Sequence, residues 1–117
     1  MSALDKAVSE LDAKRSKDDA ERRARQQAAS TFLQEFFDAD LAASKTLKEH
    51  GVEAAFDGKR ILLRKPEEGV YAEGIMIVVG EQGEIDVSGR SLGPVYANDK
   101  ETRKKELIAE IISHFSL

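Results

Sequence analysis

Cysteine and tryptophan are absent from this chain of 117 residues, which contains only two prolines and two histidines. Without cysteine there is no disulfide, no thiolate nucleophile and no cysteine-ligated zinc or iron–sulfur site. The two histidines, His50 and His114, lack the close spacing of a zinc motif, and neither Ser88 nor Ser91 has a histidine near it in the sequence. The sequence therefore predicts a protein that is not an enzyme, with no catalytic, cofactor-binding or metal-binding residues.

Long hydrophobic runs are also missing. No apolar stretch approaches the roughly 18 residues that a membrane-spanning helix needs. The first residues, MSALDKAVSELDAK, do not show the basic and then apolar stretches of a secretory signal. Together with the lack of cysteine, these features predict a cytoplasmic protein that does not interact with membranes.

The composition is that of one globular domain that is rich in charge. Hydrophobic residues make up 41% and charged residues 34% of the chain. A chain of 12.9 kDa buries roughly two thirds of its surface on folding, which is enough for one core. The net charge is −4 and the isoelectric point is about 5.3, which counts against non-specific binding to nucleic acid.

Residues 1–30 contain little that a core could bury. Leu4, Val8 and Leu11 follow helical spacing, and the next large hydrophobic residue is Phe32. The intervening positions hold alanine and charge, and acidic residues precede basic ones by four positions, which stabilises a helix. These pairs are Glu10–Lys14, Asp18–Arg22, Asp19–Arg23 and Glu21–Arg25. We predict a charged helical or frayed N-terminal extension over residues 1–30, with disorder as the alternative.

Residues 31–50 have the pattern of an amphipathic helix. Phe32, Phe36 and Leu47 fall on one side of this helix at 100° per residue. We predict that the helix supplies much of the core of a single α+β domain over residues 31–117.

Asp40 is an exception within this helix, because it falls in the middle of the apolar stripe. An unpaired carboxylate would be costly there. Three explanations remain open: a break in the helix at which Asp38 or Asp40 caps a second segment, a salt bridge, or a functional carboxylate.

Residues 52–65 are predicted to form a first hairpin. Asp57-Gly58 between two β-type runs is a strong turn signal. A two-residue turn there pairs Phe56 with Lys59 and places five apolar residues on one face of the sheet. These residues are Val52, Ala54, Phe56, Ile61 and Leu63.

Residues 70–88 are predicted to form a second hairpin around the sequence GEQG at positions 80–83. An even-numbered loop pairs Val78 with Ile85. One face would then carry Met76, Val78, Ile85 and Val87, and the opposite face Ile75, Ile77 and Val79. We expect the four strands to lie in the order 1-2-3-4, since the second and third are apolar on both faces.

The chain is predicted to end with a loop over residues 89–97 and a helix. Asn98 and Glu101 have the spacing of a capping box at the start of that helix. Its apolar residues are Leu107, Ile108, Ile111, Ile112 and Phe115. The predicted fold class is therefore α+β: a long N-terminal helix, a four-stranded antiparallel meander sheet and a C-terminal helix.

Self-association is the function that the pattern favours. The apolar stripe of the 31–50 helix covers about half of its circumference, more than the roughly 100° that packs on one surface. A monomer rarely exposes a large apolar patch, and a two-fold homodimer is the commonest assembly that would cover one. We predict a non-enzymatic interaction protein that dimerises through its N-terminal helix and an apolar sheet or helix surface. The predicted contact residues are Phe36, Phe37 and Leu41; binding to a different protein remains open.

Two other functions remain open. Lys100, Arg103, Lys104 and Lys105 form a basic run at the start of the last helix. With the order of helix, antiparallel strands and helix, this run resembles the layout of double-stranded-RNA-binding domains, which implies a nucleic-acid-binding module. The acidic net charge counts against nucleic acid as a partner. The other alternative is a domain that binds a small ligand in the groove between sheet and helix.

Overall fold

The computed structural model describes residues 2–66, 74–95 and 99–117 and shows an α+β fold. The helices are α1 (Ala3–Phe36), α2 (Lys45–Glu49) and α3 (Lys100–Phe115), with a π-helical turn at Phe37–Leu41 between α1 and α2. The strands are β1 (Glu53–Phe56), β2 (Arg60–Arg64), β3 (Ile75–Val79), β4 (Glu84–Val87) and β5 (Arg90–Pro94). The prediction of a long N-terminal helix, an antiparallel sheet and a C-terminal helix is confirmed.

Helix α1 is continuous over 34 residues. Its start is capped by Ser2, whose Oγ accepts a hydrogen bond from Asp5 N at 3.1 Å. Residues 1–50 contain no glycine or proline, so the sequence has no strong helix breaker there. Every side chain from position 2 to position 25 is exposed, and burial begins at Ala29. About 35 Å of helix therefore projects from the domain, and the molecule measures 68 × 32 × 20 Å.

A π-helical turn interrupts the predicted helix over residues 31–50. Ala42 N donates to Phe37 O at 2.8 Å, a bond to the fifth residue back, which inserts one extra residue into the turn. Phe37 stacks on Phe56 of β1, with the ring centroids 5.8 Å apart, while Phe36 stays in the core. With the extra residue in the turn, both Phe36 and its neighbour Phe37 pack against the domain.

The chain breaks again before α2. Ser44 caps α2 by accepting a hydrogen bond on its Oγ from Leu47 N at 3.3 Å. The break that the sequence suggested near Asp40 is present, but the residue that caps the second segment is a serine rather than Asp38 or Asp40.

The sheet has five strands in the order β1-β2-β3-β4-β5, one more than predicted. The additional strand is β5, which lies in the predicted loop over residues 89–97. Ser88 and Gly89 have φ angles of 49° and 90°, the geometry of a tight turn between antiparallel strands. Serine rarely adopts a positive φ, so the composition of this segment gives little sign of the turn.

The first hairpin turns later than predicted, and the pairing of Phe56 with Lys59 is wrong. The observed pairs include Phe56–Ile61 and Ala54–Leu63. The carboxylate of Asp57 accepts hydrogen bonds from the N–H groups of Lys59 and Arg60, which closes the turn one residue further along. A hydrogen bond from the Arg60 guanidinium lowers the pKa of the Asp57 carboxyl from 3.8 to about 2. The register shifts by two residues, an even number, so the predicted apolar face is kept.

The register of the second hairpin differs from the prediction by one residue, so the two faces of β3 exchange sides relative to β4. The observed pairs include Ile77–Val87 and Val79–Ile85, so the pairing of Val78 with Ile85 is wrong. Gly80 N donates to Glu84 O at 2.8 Å, and this leaves a three-residue loop in which Gly83 has a φ of 78°. The core face carries Ile75, Ile77, Val79, Ile85 and Val87, and the outer face carries Met76 and Val78.

The helices cover one face of the sheet. Helix α1 packs on β2, β3 and β4. On the helix-facing side of these strands the residues are buried except for the half-buried Val79, whereas Met76 on the other side is exposed. The core consists of Ala29, Phe32, Leu33, Phe36, Leu41, Leu47, Val52, Ile61, Leu63, Ile75, Ile77, Ile85, Val87, Leu107, Ile111 and Phe115. Both long helices therefore contribute to a single core.

Helix α3 buries most of the stripe predicted for it. Leu107, Ile111 and Phe115 are buried and Ile108 is half-buried, whereas Ile112 is 48% exposed. Asp99 occupies the N-cap position without a side-chain hydrogen bond to the helix. The predicted cap, Asn98, lies outside the described residues.

Candidate interaction surfaces

The three residues predicted to form the dimer contact lie in or beside the core of their own chain. Phe36 is 2% exposed and Leu41 is 7% exposed. Phe37 is half-buried and stacks on Phe56. Phe36 and Leu41 are therefore covered within their own chain, whereas Phe37 keeps part of its surface exposed.

The predicted basic run is divided between contacts inside the chain and solvent. The Arg103 side chain is 16% exposed, and its guanidinium lies 2.5 Å from Glu106 Oε2. It donates hydrogen bonds to the main-chain oxygens of Leu92 and, at 3.2 Å, of Pro94. These contacts hold α3 to the edge strand β5 and occupy carbonyl groups that an added strand would otherwise use.

Lys104 pairs with Asp40, with Nζ 2.9 Å from Oδ2. The Oδ2 atom is shielded from solvent and makes no well-directed hydrogen bond with the described residues, so the contact is best considered an ion pair. The contact and charge of Asp40 raise the pKa of Lys104 above its ordinary value of 10.5. The salt bridge considered for Asp40 is present and joins the π-helical turn to α3. Lys100 and Lys105 are exposed, so the basic patch is reduced to two lysines.

Replacing Lys104 with methionine is expected to destabilise the protein near neutral pH, because the shielded oxygen of Asp40 loses its partner. A raised lysine pKa contributes stability below the ordinary value of 10.5, and this stability is lost as the pH rises through the folded-state pKa. The difference in unfolding free energy between wild type and variant should therefore shrink above pH 10.5. Urea denaturation on both sides of that pH measures it.

Lys105→Met is the control for this substitution, since Lys105 is exposed on the same helix. It should change stability little at either pH. A difference between wild type and Lys104→Met that stays constant across the lysine titration would contradict the stabilising role of the ion pair.

A groove of about 320 Å³ lies between the π-helical turn, α2 and α3. Its lining is mostly apolar and includes Leu47, Ile108 and Ile112. The charged side chain in the lining is Asp40, which pairs with Lys104. The groove has room for a small ligand of the kind considered from the sequence, but it presents mainly an apolar wall.

No helix of the described residues covers the outer face of the sheet, and the apolar part of this face is narrow. One row across the strands joins Ala55, Leu62 and Met76. The rows on either side are Glu53–Arg64 and Arg60–Val78–Asp86. An apolar row between charged rows is typical of the solvated face of an antiparallel sheet.

The most exposed hydrophobic strip lies near the free end of α1. Leu4 is 72% exposed, Val8 48% and Leu11 46%. The other large exposed hydrophobics in the described part of the chain are Met76 and Ile112, which lie on different surfaces. Leu4, Val8 and Leu11 have the spacing of one helix face and form a continuous apolar strip, called the tip strip below.

Helix α1 is fixed to the domain where its exposed part ends. The Arg25 guanidinium donates to Gln82 Oε1 at 3.2 Å, and Gln26 Nε2 donates to Glu81 O at 2.7 Å. Gly83 is buried in the same turn, and a Cβ placed on it would lie 2.7 Å from the carbonyl carbon of Arg25. The side chains of Arg25 and Gln82 are 57 positions apart in the sequence, and no local pattern indicates that they meet.

Within residues 2–66, 74–95 and 99–117, no three histidine or acidic side chains come together as they would around a metal ion. None of the helices in these ranges combines the length and the apolar composition needed to cross a membrane. No protein-family model matches the sequence, and neither a curated protein nor a solved structure matches it. The function is therefore argued from the surfaces themselves.

Proposed function

We propose that the protein is a non-enzymatic interaction protein that self-associates as a homodimer through its projecting N-terminal helix. The observation that carries this proposal is the tip strip. Leu4, Val8 and Leu11 are 46–72% exposed on one face of a helix whose hydrogen bonds to its own domain, within the described residues, begin at Arg25. No other described surface combines three exposed large hydrophobic residues in this way.

The physical reason is the cost of a helix that stands alone in water. Isolated helices are marginally stable, and most helices in proteins are stabilised by packing an apolar face against another element. In α1, every side chain from residue 3 to residue 25 is exposed. A second chain would give the tip strip a surface to pack on. A second copy is the simplest source, since two-fold homodimers are the commonest oligomers.

Light scattering of the full chain at tens of micromolar is expected to give twice the single-chain mass of 12.9 kDa. Replacing Leu4, Val8 and Leu11 together with serine should shift the mass towards that of one chain, because the apolar contact is lost. A wild type that has the single-chain mass at every concentration would refute the proposal.

Met76→Ser and Ile112→Ser provide the matched control. They remove exposed hydrophobic side chains from the sheet and from α3. Both substitutions are expected to leave the mass unchanged. If they release the monomer and the tip substitutions do not, the dimer forms through the domain rather than through the N-terminal helix.

A further inference from the structure

We infer that the N-terminal helices of two copies lie antiparallel, in a register set by their charges; this inference rests on the proposed self-association. It starts from residues 10–25, which belong to α1 and whose side chains are all exposed. The charge pattern of this segment is complementary to its own reverse. A two-fold axis allows an antiparallel pair or a parallel pair in register, and of these two only the antiparallel pair brings opposite charges together.

Charge alternates along this segment in four blocks. The blocks are acidic Glu10 and Asp12, basic Lys14, Arg15 and Lys17, acidic Asp18, Asp19 and Glu21, and basic Arg22, Arg23 and Arg25. An antiparallel copy sets acid against base in all four blocks. A parallel copy in register sets each block against itself, and like charges held together disfavour that arrangement.

One alignment brings the blocks together residue by residue. The opposed pairs are Lys14–Glu21 and Lys17–Asp18, the second member of each belonging to the second copy. Each pair occurs twice, as a two-fold contact requires. At 3.6 residues per turn the four side chains fall within about 100° of one another around the axis, so one side of the helix presents them together.

The same register gives the tip strip a place to pack. Leu4 of one copy comes level with Thr31 of the second copy, and Leu11 comes level with Ala24 of the second copy. This is the stretch in which α1 joins its domain, and Ala29 within it is buried. The tip strip points about 100° away from the charged side, so it lies at the flank of the contact between the helices, level with the domain of the other copy.

The same charges also pair within one helix. Arg22 lies 3.0 Å from Asp19, and both side chains are about half exposed. Exposed pairs of this kind contribute little individually. These ion pairs form within a single chain, so adding a second chain cannot restore a pair that a substitution has removed. Mixing two differently charged variants therefore separates the two roles.

Two full-length variants test the register. One carries Lys14→Glu and Lys17→Glu, and the other carries Asp18→Lys and Glu21→Lys. Each variant alone places like charges in the opposed positions and is expected to show the single-chain mass where the wild type is a dimer. An equimolar mixture is expected to recover the dimer, because every one of these opposed positions is then opposite in charge.

The outcomes distinguish this inference from the proposed function. Variants that remain dimers on their own would overturn the register and leave the proposed self-association standing. A mixture that stays monomeric, with the helix shown to be formed by circular dichroism, would overturn the register as well. A wild type with the single-chain mass would remove the proposed function together with the inference.

Distances between spin labels test the direction of the helices without changing a charge. The chain has no cysteine, so Ser9→Cys and Ser16→Cys each accept a single nitroxide. In the antiparallel register the labels at position 9 are offset by about 26 Å along the helices, and those at position 16 by about 5 Å. Parallel helices would give the same short separation at both positions, and this result would overturn the inference even if a charge variant failed to fold.

Discussion

Replacing Gly83 with alanine is expected to lower the free energy of unfolding by about 2–4 kcal/mol. Gly83 has a φ of 78°, which an alanine adopts only with strain. The added Cβ would also lie 2.7 Å from the carbonyl carbon and the Cβ of Arg25, so α1 would have to move away from the turn. Thermal denaturation followed by circular dichroism should show a midpoint lowered by roughly 10 °C or more.

Gly89→Ala is the matched control for this prediction. Gly89 has a φ of 90°, but nothing lies within 4 Å of the position that its Cβ would take. This substitution should cost only the backbone strain, about 1–2 kcal/mol. Equal losses at the two positions would mean that α1 does not press on the turn between β3 and β4.

Arg103→Met should have the other large effect, a loss of about 1–3 kcal/mol in unfolding free energy. Its guanidinium donates to the main-chain oxygens of Leu92 and Pro94 and pairs with Glu106 in a largely buried position. Methionine keeps much of the side-chain volume but has no N–H groups. The main-chain oxygens of β5 therefore lose the hydrogen bonds that Arg103 donates. Urea denaturation measures the loss.

The same variant should also associate more readily, because an uncovered edge strand can pair with another chain. Light scattering would detect this as masses above that of the wild-type protein. Lys105→Met, at an exposed position on the same helix, should change stability by no more than about 0.5 kcal/mol. An Arg103→Met variant as stable as wild type would show that the edge contacts add nothing to the fold.

The elements of the fold could be predicted because they follow local periodicity. Strands alternate, helices repeat at 3.6 residues, and the positions of α1, α3 and four strands follow from those patterns. The registers could not be predicted equally well, since each depends on one turn. A carboxylate bonded to two N–H groups moves the first turn, and Gly83 at positive φ lengthens the second. A single residue of difference in the second hairpin exchanges its faces.

The surfaces were harder to predict because exposure depends on distant parts of the chain. The wide stripe that includes Phe36 suggested an uncovered patch, but the π-helical turn lets Phe37 and Leu41 pack within the same domain. The basic run suggested a patch for nucleic acid, and charge alone gave no sign that Arg103 and Lys104 have internal partners. The one local clue was Asp40, whose place in an apolar stripe called for a cation.

The continuity of α1 through its junction with the domain has a mechanical consequence. A residue inserted near Gln27 would move the tip strip outward by about 1.5 Å and rotate it by about 100° about the helix axis. Two inserted residues would turn it to nearly the opposite side, whereas seven would return it to within about 20° of its original direction. The number of residues in the continuous helix therefore sets both the distance of the tip strip from the sheet and the direction in which the strip faces around the helix axis. A partner bound to the tip strip would be held at a defined orientation relative to the sheet.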